Sequence, residues 1–371
     1  MKNKKRFAAG RTARALLLAA LAVLTTVFTA CSGPEPITFG AILPLTGPGS
    51  MPEVKNGMEL AVSEINERGG INGAPIELYV ADSAGSGEVA VEKMRRMEEE
   101  RPPLLFLSAL SSVTGAVSEV AESEEIPLIG LIATDPSIPV DKRWTYVFYP
   151  NATHETEPIF SLILQQNIRT VGVVHHDDAY GRAMVREMEL RSRGTAVTVD
   201  SHPYTGERSE LNEAAQSFMN HDAVCFVGFA AQILTMREVF AQAGYDGMIL
   251  STSTATIPSL RSGNALDGVY VSAPLMYNDS FVLARQVSER YTERYDQKLD
   301  HYAATGYDIV KILAGLLDGE ELDRARVIEL FREGFIYPGV FGEITLYAGE
   351  NTMFFPLYPA IITGEKVRYI R

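Results

Sequence analysis

Residues 37 to 81 read ITFGAILPLTGPGSMPEVKNGMELAVSEINERGGINGAPIELYVA, and the order of patterns within them decides the fold. Ile37–Leu43 is a short β-rich run, residues 53 to 68 are amphipathic, and residues 76 to 81 form a second β-rich run. In the middle segment Val54, Met58, Ala61 and Ile65 recur every three to four residues, Glu59, Glu64 and Glu67 fall elsewhere, and Gly69-Gly70 closes the pattern. That period puts one apolar stripe along a helix and leaves charge on its other side. Strand, helix and strand in succession predict a βαβ unit, with the apolar stripe packed on a sheet.

The same rhythm continues outward. Further strands are expected at residues 104 to 107, 127 to 132, 170 to 175, 196 to 201, 223 to 227 and 248 to 251, separated by helix-length mixtures of polar and apolar residues. Such alternation predicts all-parallel sheets covered by helices. Two features break it. Residues 144 to 155 interrupt the alternation halfway and suit a crossover between lobes, and Tyr337-Pro338-Gly339-Val340-Phe341-Gly342 precedes strand-like runs at 343 to 347 and 354 to 363. The chain is therefore expected to re-enter an earlier lobe near its end.

The first thirty residues differ in kind. Lys2, Lys4, Lys5, Arg6, Arg11 and Arg14 precede an uncharged apolar run from Ala15 to Val27, the order of an export signal and too short for a span of about 20 residues. The run ends at Phe28-Thr29-Ala30-Cys31, small residues before a Cys as at a lipoprotein signal-peptidase site, with Phe28 where that motif prefers Leu. Cys31 is the expected lipidated residue, residues 1 to 30 the signal peptide, and 31 to 36 a tether to the membrane. Without the first thirty residues, 27 Lys and Arg remain against 47 Asp and Glu, a formal charge of −20, which argues against a nucleic-acid partner. Cys225, in an apolar run, has no second cysteine to pair with once Cys31 is lipidated, and reads as core filler.

Open parallel sheets bind ligands beyond the carboxyl ends of their strands, where helix N-termini offer spare N–H groups. The loops in those places include Pro44 to Ser50, Ser108 to Ser112, Ala133 to Pro136, His176 to Gly181, Gly228 to Ala230 and Thr252 to Thr254, all rich in hydroxyls and small residues.

At Gly40-Ala41-Ile42-Leu43-Pro44-Leu45-Thr46-Gly47-Pro48, running into Gly57-Met58-Glu59-Leu60-Ala61 and Ile65-Asn66-Glu67-Arg68-Gly69-Gly70-Ile71-Asn72-Gly73, the chain resembles the type I periplasmic solute-binding proteins, specifically the leucine/isoleucine/valine-binding family of branched-chain amino acid ABC transporters. The likeness continues at Ser111-Ser112, Ala133-Thr134-Asp135-Pro136, Asp178-Ala179-Tyr180-Gly181, Gly306-Tyr307-Asp308 and Gly342-Glu343-Ile344. It implies an α/β protein of two lobes, each a parallel β-sheet flanked by helices, joined by three hinge crossovers near residues 144 to 155, 274 to 278 and 337 to 342. Lobe one is then 37–150 plus 278–337, and lobe two 151–277 plus 338–371. The resemblance further implies an amino-acid-like small-molecule ligand in the cleft, with the Ser111 hydroxyl and backbone N–H groups holding a carboxylate and Ser112 beside it. Ile132 would add backbone contacts and Thr134 hydroxyl and N–H, Tyr180 would close over the ligand from lobe two, and Tyr307 would stand near the hinge. Several donors aimed at one carboxylate replace its hydration at little reorganisation cost.

The sequence departs from that family in one respect that matters chemically. The loop that normally supplies an acid for the ligand's α-ammonium reads Leu250-Ser251-Thr252-Ser253-Thr254, and Phe229 stands in the neighbouring loop without a hydroxyl. A buried ammonium without a carboxylate costs several kcal/mol, so the expected ligand is a small carboxylate or amide without an α-amine, unless Asp135, Asp177 or Asp178 turns into the cleft. Ser253 is retained as a candidate contact.

Each candidate also has a plain structural reading: Ser111, Ser112, Thr134, Ser253 and Thr254 as helix caps, and Tyr180 as loop packing. His175-His176-Asp177-Asp178 has metal-ligand residue types, but adjacent strand residues point to opposite faces, so no metal site is expected. The Pro44 loop lacks dinucleotide-binding spacing, and no hydrolase or metalloprotease motif is present. The expected activity is ligand capture without turnover or cofactor, outside the cytoplasm, for delivery to an ABC permease or for signalling through a membrane receptor.

Overall fold

A computed structural model describes residues 34–47 and 49–370 of the chain. The signal segment, Cys31 and the first part of the tether lie outside the described residues. From the N-terminal side, β1 (Ile37–Leu43), α1 (Pro52–Asn66), β2 (Ile76–Asp82), α2 (Gly87–Glu100), β3 (Leu105–Ala109), α3 (Ser111–Glu124), β4 (Leu128–Leu131) and β5 (Thr145–Phe148) build a first sheet in the order β2-β1-β3-β4-β5. All four pairings are parallel. The strands alternate with helices because each apolar run is too short to do more than cross the sheet once, and each amphipathic stretch needs a face to cover.

The chain then enters a second body through α4 (Ala152–Gln165), β6 (Thr170–His176), α5 (Ala179–Ser192), β7 (Thr198–Tyr204), α6 (Arg208–Phe218), β8 (Ala223–Val227), α7 (Ala230–Gln242), β9 (Met248–Ser251), the short α8 (Pro258–Arg261) and β10 (Tyr270–Pro274). After a 3-10 turn at Leu275–Tyr277 it returns, and α9 (Val282–Tyr295), α10 (His301–Leu317) and α11 (Arg324–Glu333) add their apolar faces to the first core. A hairpin, β11 (Phe335–Pro338) and β12 (Glu343–Leu346), follows, and β13 (Leu357–Thr363) and β14 (Lys366–Tyr369) end the chain. The second sheet has the order β14-β13-β10-β9-β8-β6-β7. Cys225 is fully buried at its centre.

The structure corrects three sequence expectations. Residues 144 to 155 are not simply a connection: β5 is the edge strand of the first sheet, its four residues all buried, and α4 starts at Ala152. The second sheet is not all parallel, because β13 pairs antiparallel with β10 and β14 antiparallel with β13. A tight Gly364 turn joins the last two strands, and a two-strand reversal of that length can only be antiparallel. The residues after Pro338 do not all join the second body either. Val340, Phe341, Ile344, Leu346, Met353 and Phe355 are buried in the first core, and Phe355 meets Phe148 edge-on at 4.9 Å between ring centroids. Val147 donates to the Asn351 carbonyl and accepts from Met353, so this segment lengthens the β5 edge, and the chain reaches the second sheet only at β13.

Helix α10 crosses α1 with backbone against backbone: a Cβ on Gly57 would stand 1.9 Å from the Ala303 carbonyl oxygen, and one on Gly306 2.1 Å from that of Val54. Neither position admits a side chain. Because α1 begins at the carboxyl end of β1, this crossing carries the N-terminus of α10 to the same edge of the sheet.

Candidate functional site

At the carboxyl ends of β3 and β4 the backbone leaves ordinary conformations. Leu110 has φ +77° and Ile132 φ +52°, and a β-branched residue in the left-handed region is held there only by its surroundings. Between these two bends Ser111 opens α3, and its Oγ accepts the N–H groups of Thr134 at 3.0 Å and Asp135 at 3.2 Å. Ser111 thus latches the two loops together, and does not cap its own helix. Ser112 is exposed and donates to the Gly85 carbonyl at 3.4 Å, on the side of the β2–α2 loop.

On the opposite body, Asp178 caps α5 by accepting the Gly181 N–H at 2.8 Å, and this sets Tyr180 in the first turn. Gly181 has no alternative, since a Cβ there would lie 2.0 Å from the His176 carbonyl oxygen. The Tyr180 hydroxyl is buried beside Glu155 and Thr252, and burial holds it well above the usual phenol range. Phe229 stands at the N-cap of α7, 46% exposed, and its ring meets that of His176 at 5.8 Å.

Glu155 is the residue that sequence reasoning missed. It lies in the first turn of α4, 2% exposed, with Ala152, Thr156, Ile159 and Leu162 buried along the same face. The N–H of Ser253 donates to it at 3.0 Å and the Ser253 hydroxyl at 2.5 Å, and the Ser272 hydroxyl donates to it as well. Burial raises its pKa while these donors pull it back, and no cation pairs with it among the described residues. Ser253 therefore faces an acid instead of replacing one. The available signal was an acid in the apolar register 152, 155, 159, 162 of an otherwise core-facing helix.

The three aspartates that might have supplied an acid are engaged elsewhere. Asp135 accepts from the Ser137 N–H and hydroxyl, Asp177 pairs with Arg182 at 2.6 Å, and Asp178 holds its helix cap and His176. Among the described residues no group of three or more His, Cys, Asp or Glu has the arrangement of a metal site. Tyr307 is also placed away from the cleft. Its hydroxyl donates to Glu64 at 2.7 Å, within a cluster that includes Lys311 and Arg290. Six residues of helix carry it about 9 Å beyond His301, so the N-terminus of α10 rather than Tyr307 reaches the seam.

Around Glu155 the seam is built of aromatic and hydroxyl groups from both bodies. Tyr149, where the chain first crosses, is buried within electrostatic reach of Glu155, Tyr180, Tyr277 and Tyr302. An open groove of about 880 Å3 lies elsewhere, beside Arg261, Tyr277, Arg285 and Lys298. Its rim is solvent-exposed, with Lys298 and Lys366 each 70% accessible. A ligand there would keep its water, whereas the Glu155 seam removes it, and the seam is the better candidate.

The comparisons with known proteins agree with this architecture. A family model described as periplasmic binding protein matches residues 36–366. The chain belongs to that family of extracytoplasmic binding proteins, which are not enzymes. It is 25% identical over 309 residues to the chemotactic signal transduction system substrate-binding protein BasB of Halobacterium salinarum, covering 78% of this chain and 73% of that one. It is 27% identical over 204 residues to Leu/Ile/Val-binding protein homolog 8 of Brucella abortus, a match that spans 51% of this chain and 50% of that protein. The branched-chain amino acid transporter substrate-binding protein LivJ from Streptococcus pneumoniae, solved with isoleucine, superposes with a TM-score of 0.79 at 17% identity over 90% of this chain and 97% of that one.

Proposed function

We propose that this chain captures a small amino-acid-like solute between its two lobes and delivers it to an ABC permease, held at the membrane by a lipid on Cys31. Ser111, Thr134 and Ile132 serve the carboxylate end from lobe one; Tyr180, Ser253 and the neighbouring Phe229 complete the site from lobe two. The observation that carries the reading is Glu155, a buried acid with three donors and no cation among the described residues. A carboxylate so placed is poised to receive an ammonium, and Glu155 thereby restores from α4 what the loop 250–254 lacks. The amine-free ligand expected from that loop is revised on this ground.

Thermal stabilisation by α-amino acids, hydroxy acids, keto acids and amides tests the reading. A ligand at about 100 times its dissociation constant adds about 2.7 kcal/mol. Shifts with α-amino acids that vanish in Glu155→Gln support it; shifts confined to amine-free compounds overturn it. A second reading, ligand sensing through a membrane receptor, is favoured by the relative named as a chemotactic substrate-binding protein. Co-purification with a permease or with a receptor separates the two.

A further inference from the structure

His301 is fully buried at the first position of α10, and neither ring nitrogen has a hydrogen-bond partner among the described residues. A buried polar atom left unpaired costs roughly 1–3 kcal/mol, and a phenylalanine would fill the same space without that cost. The ring lies 4.4 Å from that of Tyr302 and 6.2 Å from that of Tyr149, centroid to centroid. The ring is joined to the Glu155 seam through Tyr149, whose hydroxyl is within electrostatic reach of Glu155 and Tyr180.

Burial keeps the imidazole neutral, with its pKa lowered to about 3, so it offers one donor and one acceptor. Resting on the reading that Glu155 marks the ligand site, we propose that His301 forms a polar subsite that selects a ligand whose side group is an uncharged hydrogen-bonding group, such as a carboxamide, over an aliphatic one. A carboxamide, itself both donor and acceptor, would pair with the ring. An aliphatic group of the same outline leaves the ring unpaired, and each 1.4 kcal/mol so lost is about tenfold in affinity.

The test is calorimetric titration of the full chain with four probes. L-Asparagine and L-leucine share a branched side-chain outline and differ in polarity; succinamate and 4-methylpentanoate are the same pair without the amine. The polar member of at least one pair should bind about tenfold tighter or better than its apolar partner. His301→Phe should abolish that preference without weakening the apolar probe, and His301→Gln, which keeps a donor and an acceptor, should retain part of it. Circular dichroism confirms that each variant is folded. Equal or tighter binding of the apolar members, or a preference that survives in His301→Phe, overturns the subsite. The amine contrast reads Glu155 separately: a polar preference with no gain from the amine sinks the Glu155 reading while leaving the subsite standing. Binding by none of the four sinks both.

Discussion

Removing the charge from Glu155 while keeping its shape separates two effects that the buried acid combines. In Glu155→Gln the amide oxygen can still accept from the Ser253 N–H and the Ser272 hydroxyl while the amide NH2 donates to the Ser253 hydroxyl in turn, and a desolvated carboxylate with no cation beside it among the described residues is gone. Stability should hold or rise, because an uncompensated buried charge costs more than a neutral amide. Affinity for an α-amino ligand should fall by roughly 2–5 kcal/mol, the usual cost of leaving one partner of a buried charge pair alone. Thermal midpoint and calorimetric affinity, read together, check both halves, and a variant that loses stability and keeps its affinity contradicts the assignment. Ser111→Ala carries a smaller expectation, about tenfold in affinity, since its Oγ also positions the Thr134 and Asp135 N–H groups. Tyr180→Ala should weaken binding to a similar degree, and unchanged affinity in both variants places the site elsewhere. The loops of Ser111 and Tyr180 were legible as candidates because they follow strands, where parallel sheets bind ligands, and the family resemblance singled out these two residues within them. Glu155 showed only as an acid in an apolar helix register and His301 not at all, because a single sequence gives no sign that the chain passages bring those helix starts to one seam.

Helix α10 is positioned by its glycines and by a buried acid, and each can be tested apart from the ligand. Gly306→Ala drives a Cβ to within 2.1 Å of the Val54 carbonyl oxygen, and overpacking of that kind costs about 1–3 kcal/mol or more. Gly315→Ala, on the same helix with nothing within 4 Å, should instead stabilise by about 0.5–1 kcal/mol through helix propensity. Denaturant melts of the two variants should therefore move in opposite directions. Asp308 accepts the N–H groups of Val340 at 2.8 Å and Phe341 at 2.9 Å, and so ties α10 to the turn of the last hairpin. Burial raises its pKa to about 7, well above the ordinary aspartate value of about 3.9. The folded state then binds the proton more tightly than the unfolded chain, so this group's contribution is full below about pH 4 and is lost as pH rises to about 7. Asp300, also raised to about 7, acts with the same sign. His154, half-buried and lowered to about 4 by desolvation, has the opposite sign and loses stability as pH falls below its unfolded value. The Asp308 part is isolated by difference: the stability of the parent relative to Asp308→Asn should decline between about pH 4 and pH 7 and be flat above. A difference constant across that window means that the carboxyl stays ionised in the fold. Element identity was readable wherever period and length agreed, as in α1, β1 and β8. It failed at β5, whose four buried residues sit between a tryptophan and a proline and look like a connection, and at β14, too short to carry a pattern of its own.

For the molecule as a whole, alternation of strand and helix announced two parallel-sheet bodies, but the path of the chain between them could not be read from the same signal. Val340 to Phe355 looks no different in composition from a second-lobe strand segment. Its assignment to the first core rests on Phe148 and the β5 edge, nearly 200 residues earlier in the chain and joined to it only by folding. What that path provides is three narrow connections, at residues 149–151, 275–278 and 355–356, between two separately packed cores. Few residues then need to change their dihedrals for one body to swing on the other, the usual design of hinge closure around a ligand. Ligand groups proposed from both bodies require such a motion, because Ser111 and Tyr180 can grip one small molecule together only when the seam is shut. Small-angle scattering of the full chain should accordingly give a smaller radius of gyration with a saturating ligand, identified by thermal shift, than without it. The decrease should be smaller in Tyr180→Ala at a ligand concentration that only just saturates the parent, and return in full when the ligand is raised to saturate the weakened site. An equal radius with and without a tight ligand would mean that the two bodies are locked at one angle, and that capture works through a rigid, preformed cleft.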